Sequence, residues 1–303
     1  MNSNTKKPRT KLQKRKAWIR NTWALFKETK VGLVGIGILV FFMVMALASF
    51  IPPLIDDMYN PLYGADPDII TATPPSWKHP LGTDSMGRDL FSQLLEGTKW
   101  ALIIGVTAAA CSVVLSTVVG LLSGYYGGAI DSILQRTAET VMTLPGFPLI
   151  VIIGSILRGV NIWNIVVLIS VLGWPGPSKV IRSQVLSLRE RPFIDSARIS
   201  GASDARIIFR HIAPNILPLS FLYMTFGVTG AILAEASLSF IGLGDPTTVS
   251  WGMMLQWCYR AGFIYRAPFW VIPPGLCITL LALAFYLIGV GTEQIINPRL
   301  RKR

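Results

Sequence analysis

The sequence predicts an all-α polytopic membrane protein with six transmembrane helices and both termini in the cytoplasm. Three observations predict it: an apolar composition, six long stretches free of Asp, Glu, Lys and Arg, and a strong bias of Lys and Arg to one side of those stretches. Of 303 residues 51% are apolar and only 15% charged, and the mean hydropathy is +0.52. A soluble chain of this length needs far more polar surface, so a disordered or ordinary soluble protein is excluded. A bilayer instead tolerates an apolar exterior about 30 Å high.

The six stretches are 31–55, 100–130, 140–157, 159–178, 211–234 and 267–292. Each is long enough for the ~20 residues with which an α-helix crosses hydrocarbon, and a charge at the bilayer centre costs about 3 kcal/mol on insertion scales. Continuous apolar runs are a helical signal, whereas barrel strands alternate. The first run begins thirty residues in and exceeds a signal-peptide core, so it reads as an anchor helix.

Charge placement sets the orientation. With both ends inside, the internal segments hold 22 of the 28 basic residues, while the outside segments hold Lys78, Arg88, Lys99, Arg158, Arg260 and Arg266 together with eight acids. That satisfies the positive-inside rule and accounts for the net charge of +12 by topology, without nucleic-acid binding. The cluster of basic residues up to Lys30 suits attraction to anionic membrane lipids.

The chain therefore divides into a basic cytoplasmic tail (1–30), a first transmembrane helix (31–55), an extracytoplasmic proline-rich loop (56–97), a five-helix permease core (98–296) and a second basic tail (297–303). Pro53, Pro61, Pro67, Pro74, Pro75 and Pro80 discourage regular helices around the outside loop, which reads as an irregular cap. The longest internal segment, 179–210, lies between the fourth and fifth spans and has a helix-compatible composition.

Much familiar chemistry is absent. No G-x-x-x-x-G-K-[ST] cradle for nucleotide phosphates, no H-E-x-x-H and no G-x-S-x-G elbow occurs. His79 and His211 fall on opposite sides of the membrane, and Cys111, Cys258 and Cys277 are widely spaced, as buried small apolar residues are. His79, Asp84, Arg88 and Asp89 form either a hydrogen-bonded loop or an external hydrolytic or metal site. Glu139 and Glu235 are the acids set within apolar spans, where carboxylates serve interhelical hydrogen bonds or transport pathways.

The internal loop carries the sharpest signal, from Phe193 to Pro218. On one helix Ala197, Ser200, Gly201 and Asp204 would share a face of small residues, flanked by Arg198, Arg206 and Arg210; this reads either as a plain loop helix lying on the membrane or as a surface for close docking of another protein.

That stretch resembles the coupling motif of ABC-importer permeases, E-A-A-x-x-x-G with an I-x-L-P end. Asp195, Ser196, Ala197 and Gly201 stand in its first part, and Ile216, Leu217 and Pro218 carry its end; Asp replaces Glu and Ser replaces Ala. The run H-P-L-G-T-D-S-M-G-R-D-L-F-S-Q from His79 is similar to the G-T-D-x-x-G-R-D signature of permeases in peptide and nickel importers, of the "C" type. Gly82, Thr83, Asp84, Gly87, Arg88 and Asp89 carry it. Further similarities are E-A-S-L-S-F-I-G-L-G from Glu235, S-W-G-M-M-L from Ser250 and N-P-R-L-R from Asn297, whereas Val290 stands where that family carries an acid.

The resemblance implies half of a translocation pore in a heterodimer with a homologous permease. It also implies two cytoplasmic ATPases that hold ATP and Mg, and an extracytoplasmic binding protein. No cofactor is expected on this chain. The implied substrates are di- or oligopeptides, with nickel chelates or oligosaccharides as alternatives. A different class, an ion- or proton-coupled secondary carrier, would show inverted repeats or discontinuous helices.

Overall fold

The computed structural model describes residues 29–156 and 161–296. The two basic tails, the end of the third expected span and the start of the fourth lie outside them. Apart from one isolated bridge between Thr83 and Asp89, the described residues are helices, turns and loops.

Helix α1 (Lys30–Ala48) exposes Val34, Phe41, Val44 and Leu47, an apolar surface suited to lipid. It continues through α2 (Pro52–Ile55) into the proline-rich loop. Helix α3 (Leu90–Tyr126) is 37 residues long, and Gly127 and Gly128, both at positive φ, end it. It starts ten residues before the expected span because Asp89 caps it, so the last part of the loop segment is helical.

The third and fourth spans are broken where continuous helices were expected. α4 (Gly128–Thr143) and α5 (Gly146–Ile156) meet at 83°, and α6 (Ile162–Gly173) and α7 (Pro175–Arg189) at 44°. Both breaks sit at proline. Leu144, pushed to extended backbone (φ −76°, ψ 138°) by Pro145, cannot continue the helix, and Pro175 removes an amide that α6 would need. Four described helices are individually long and apolar enough to cross a membrane, and six crossings result if each bent pair is one span.

Two short helices follow, α8 (Pro192–Ile199) and α9 (Asp204–Ile207), and then a π-turn (Ile208–Ile212) leads into α10 (Ala213–Leu238). A second π-turn (Ser239–Leu243), α11 (Trp251–Arg260) and α12 (Pro268–Ile296) complete the chain.

The main core joins α1, α3, α10, α11 and α12 around the fully buried Phe42, Trp251 and Trp270. α1 approaches α12 closely: a Cβ on Gly35 would lie 2.7 Å from the Ala284 carbonyl oxygen. A second core gathers Leu121 and Tyr125 of α3, Ile181 and Val185 of α7, Ile194 of α8 and Ile207, Ile208, Ile212 and Ile216 beyond. It fixes the loop between α7 and α10 to the end of α3.

Candidate coupling loop and external cap

The candidate coupling loop rests on glycines. A Cβ on Gly120 would stand 2.6 Å from Ile181 Cγ2, and one on Gly124 2.7 Å from Val185 Cβ, so α7 meets the backbone of α3 directly. Ile194, fully buried, seats α8 on that pair. Tyr125 binds the loop with polar contacts as well. Its hydroxyl donates to Asp204 Oδ1 at 2.6 Å, its carbonyl accepts from Arg189 Nη1 at 3.0 Å, and the Arg198 guanidinium lies 5.9 Å from its ring centre.

The single small-residue face does not form. α8 ends at Ile199, and the Gly201 and Ala202 amides donate to the Arg198 and Ala197 carbonyls at 2.9 and 3.0 Å, closing a Schellman turn with Gly201 at φ +77°. Asp204 belongs to the next helix, whose cap is Ser203. Ala197, Ser200, Gly201 and Asp204 therefore do not lie one above another, and among the described residues, its two chain neighbours aside, nothing stands within 4 Å of a Cβ built on Gly201.

Outward the loop presents Asp195, Ser196, Arg198, Ser200, Gly201, Arg206 and Arg210, all exposed, with Ala197 half-buried. Sequence reasoning passed over three bulky neighbours. Ile199 is 88% exposed, Phe209 74% and Phe193 44%. Large apolar groups standing among arginines were the available signal for a protein-docking surface.

At the other end of α3, the signature residues build the cap. Asp84, fully buried, accepts from the Met86 and Arg88 amides at 2.8 and 3.0 Å, from Arg88 Nε at 2.6 Å and from Gln93 Nε2 at 3.1 Å. Thr83 Oγ1 accepts from the Thr73 amide at 3.1 Å. Gly82 and Gly87 hold positive φ, and a Cβ on Gly82 would lie 2.3 Å from the Thr73 carbonyl oxygen, so only glycine fits there. Asp89 Oδ2 caps α3 through the Ser92 amide at 2.7 Å. Arg88 stacks 4.1 Å above the Trp257 ring, joining the cap to α11.

His79 is spanned by two carboxylates: Nδ1 lies 2.9 Å from Asp89 Oδ1 and Nε2 3.2 Å from Asp66 Oδ2. Asp66, absent from the sequence reading, also receives Lys78 Nζ at 2.6 Å. The Lys78 ammonium, the Asp68 amide and His79 hold the Asp66 carboxyl at about 2, and the same contact raises Lys78. Among the described residues, no group of three or more His, Cys, Asp or Glu is placed to hold a metal ion. The arrangement is a hydrogen-bonded loop.

The two intramembrane acids differ. Glu235 is buried on α10 and accepts from Ser239 Oγ at 2.6 Å. Glu139 is exposed on the polar α4, where Lys179 Nζ of α7 approaches to 3.4 Å, rather than set in an apolar helix.

Residues 116–302 match the family described as binding-protein-dependent transport system inner membrane component. The chain belongs to that family. Its members are the membrane permease subunits of ABC importers, so this chain is a multi-pass inner-membrane transport subunit and not an enzyme. A peptide permease protein of Brucella suis is 38% identical over 226 residues, 74% of each chain. The dipeptide transport system permease protein DppC of Alkalihalophilus pseudofirmus is 34% identical over 289 residues, 93% of this chain and 90% of its own. A chain of the methionine ABC transporter MetNI, solved in inward-facing conformations, aligns with a TM-score of 0.49 and 19% identity, covering 70% of this chain and 97% of its own. Family membership also decides against the secondary carrier, even though two helices are discontinuous.

Proposed function

We propose that this permease forms half of the translocation pathway of a di- or oligopeptide importer. A homologous second permease supplies the other half, an extracytoplasmic binding protein docks over the cap and hands over the peptide, and two cytoplasmic ATPases hold ATP and Mg. Both termini and the loop around α8 face the cytoplasm.

One observation carries the mechanical part. α8 is anchored inward by the buried Ile194 and by Arg198 beside the Tyr125 ring, while Asp195, Ser196 and Ile199 stand exposed for another protein to grip. A chain without a phosphate cradle receives ATP free energy only through such a rigid element, whose two positions a partner can bias. Peptide is favoured as substrate because the peptide and dipeptide permeases above align across most of the chain.

Reconstitution tests both parts. The chain, its partner permease, the two ATPases and the binding protein, sealed in proteoliposomes, are expected to accumulate dipeptide only with ATP inside the ATPase compartment. Uptake under a proton gradient without ATP would overturn the proposal, and uptake of a nickel chelate or oligosaccharide in place of peptide would replace the substrate.

A further inference from the structure

Beside the second core, an open cleft of about 500 Å³ lies between α4 and α7, lined by Asp131, Gln135, Arg136, Glu139, Lys179 and Arg182. It lies beside about the last 10 Å of α3, at the Tyr126 end. Ala138, next to Glu139, packs on Trp174 and on Val119, which is about 10 Å along α3 from its end at Tyr126. Gln135 Nε2 donates to Ser123 Oγ of α3 at 2.9 Å, fixing the same alignment. Arg136 and Lys179 belong to the segments that charge placement assigns to the cytoplasm, so the cleft opens to water at that end of the bundle.

The charges divide into a tight pair and a looser set. Arg182 is satisfied bidentately by Asp131, at 2.6 and 2.5 Å. Lys179 and Glu139 touch only loosely, at 3.4 Å, with 38% and 52% of their side chains exposed. Arg136 is exposed and has no carboxylate within ion-pair distance among the described residues. Arg136 and Glu139 stand at i and i+3 on one helix, which sets their Cβ atoms about 5–6 Å apart. Two residues of extended peptide span at most about 7 Å.

We infer that this cleft is a waypoint for a short zwitterionic peptide, with Arg136 and Lys179 taking its terminal carboxylate and Glu139 its terminal ammonium. The inference rests on the peptide reading above and adds to it the residues that hold the cargo. An anionic lipid headgroup fits less well, because Glu139 would face its phosphate as a like charge. A neutral oligosaccharide would leave the opposite charges unused.

The test uses the complete importer in proteoliposomes, with alanyl-alanine as the probe. Arg136→Gln and Glu139→Gln are each expected to lower the maximal uptake rate about tenfold, the loss of one charge-assisted contact in transit. KM, which the binding protein sets, and co-purification of the ATPases should stay at wild-type values. In a Cys111→Ser background, Ser132→Cys at the cleft should react with a membrane-impermeant thiol reagent, and alanyl-alanine should slow that reaction during turnover. Uptake by both variants within about twofold of wild type, or labelling indifferent to peptide, would overturn the waypoint while leaving the importer standing. A wild-type importer that carries no dipeptide would overturn the peptide reading itself.

Discussion

The hydroxyl of Tyr125, in the last turn of α3, donates a 2.6 Å hydrogen bond to Asp204 Oδ1 in the first turn of α9. One end of the longest single helix in the described fold is thereby bound to the loop that faces away from the bundle. The bond is charge-assisted, and Tyr125 itself is buried, so it resists competition from water.

Tyr125→Phe keeps the ring in the second core and deletes only this bond. The expected cost is about 1 kcal/mol in the thermal stability of the purified chain. The larger effect should appear in coupling, as ATP hydrolysed per dipeptide transported. An unchanged ratio would show that α9 moves without regard to α3.

Gly201 makes a second prediction, different from the one its place in the motif suggests. At φ +77° with nothing near its absent Cβ, Gly201→Ala should cost about 1 kcal/mol through backbone strain alone, and Gly201→Asn less. In the isolated chain Gly201→Leu should melt like Gly201→Ala. In the assembled importer, Leu is expected to impair co-purification of the ATPases beyond Ala if a partner's surface reaches this turn. Equal behaviour there would confine Gly201 to ending a helix.

The comparison shows what a linear pattern conveys. Hydropathy located every apolar stretch, because desolvation of charge acts residue by residue. It did not reveal the breaks at Pro145 and Pro175, since proline inside a long apolar run is compatible with either a kinked span or two helices. The motif around Asp195 marked out a segment between the fourth and fifth spans, yet its small residues at helical spacing suggested one face, where the positive φ of Gly201 makes two helices. At the cap, Asp84, Arg88 and Asp89 were legible as a cluster because they are neighbours in sequence. Asp66 was not, because only the path of an irregular proline-rich loop brings it to His79.

Asp84 is the buried hub of that loop. Asp84→Ala removes the acceptor for four donors and leaves the Arg88 guanidinium, only 11% exposed, without its carboxylate. Breaking a buried pair in this way should cost about 3 kcal/mol. Hydrogen exchange across 56–89 is expected to accelerate, while that of α12 stays slow. Unchanged exchange in the loop would remove Asp84 from its role.

The cap should also be acid-sensitive at a defined place. The Asp66 carboxyl titrates at about 2 in the folded loop, against about 3.9 when unfolded. A depressed carboxyl stabilises the folded form fully above its unfolded value and loses that contribution as pH falls through the folded one, so the loss should run from about pH 4 down to 2. Exchange measured across that window should rise in the wild type. Asp66→Asn should show the faster exchange already at neutral pH, with that part of the acid response gone.

Orientation gives the last prediction. Trp77, two residues before His79, lies with the cap at the Asp89 end of α3, and Ile199 lies with α8 at the Tyr125 end. A helix of 37 residues is about 55 Å long, well beyond the ~30 Å of hydrocarbon, so these two exposed side chains stand on opposite sides of any membrane that α3 crosses. The basic residues decide which side is which. Arg189, Arg191, Arg198, Arg206 and Arg210 crowd the Ile199 end, whereas the loop around Trp77 carries Asp56, Asp57, Asp66 and Asp68. Insertion retains such a basic cluster in the cytoplasm. In a Cys111→Ser background, an impermeant thiol reagent added to intact cells should therefore label Trp77→Cys and spare Ile199→Cys, and inside-out vesicles should reverse the pattern. Labelling of both from one side would mean that α3 does not cross. The inverse pattern would place the coupling loop outside, beyond reach of any ATPase, and with it would fall the whole route from ATP to the bundle.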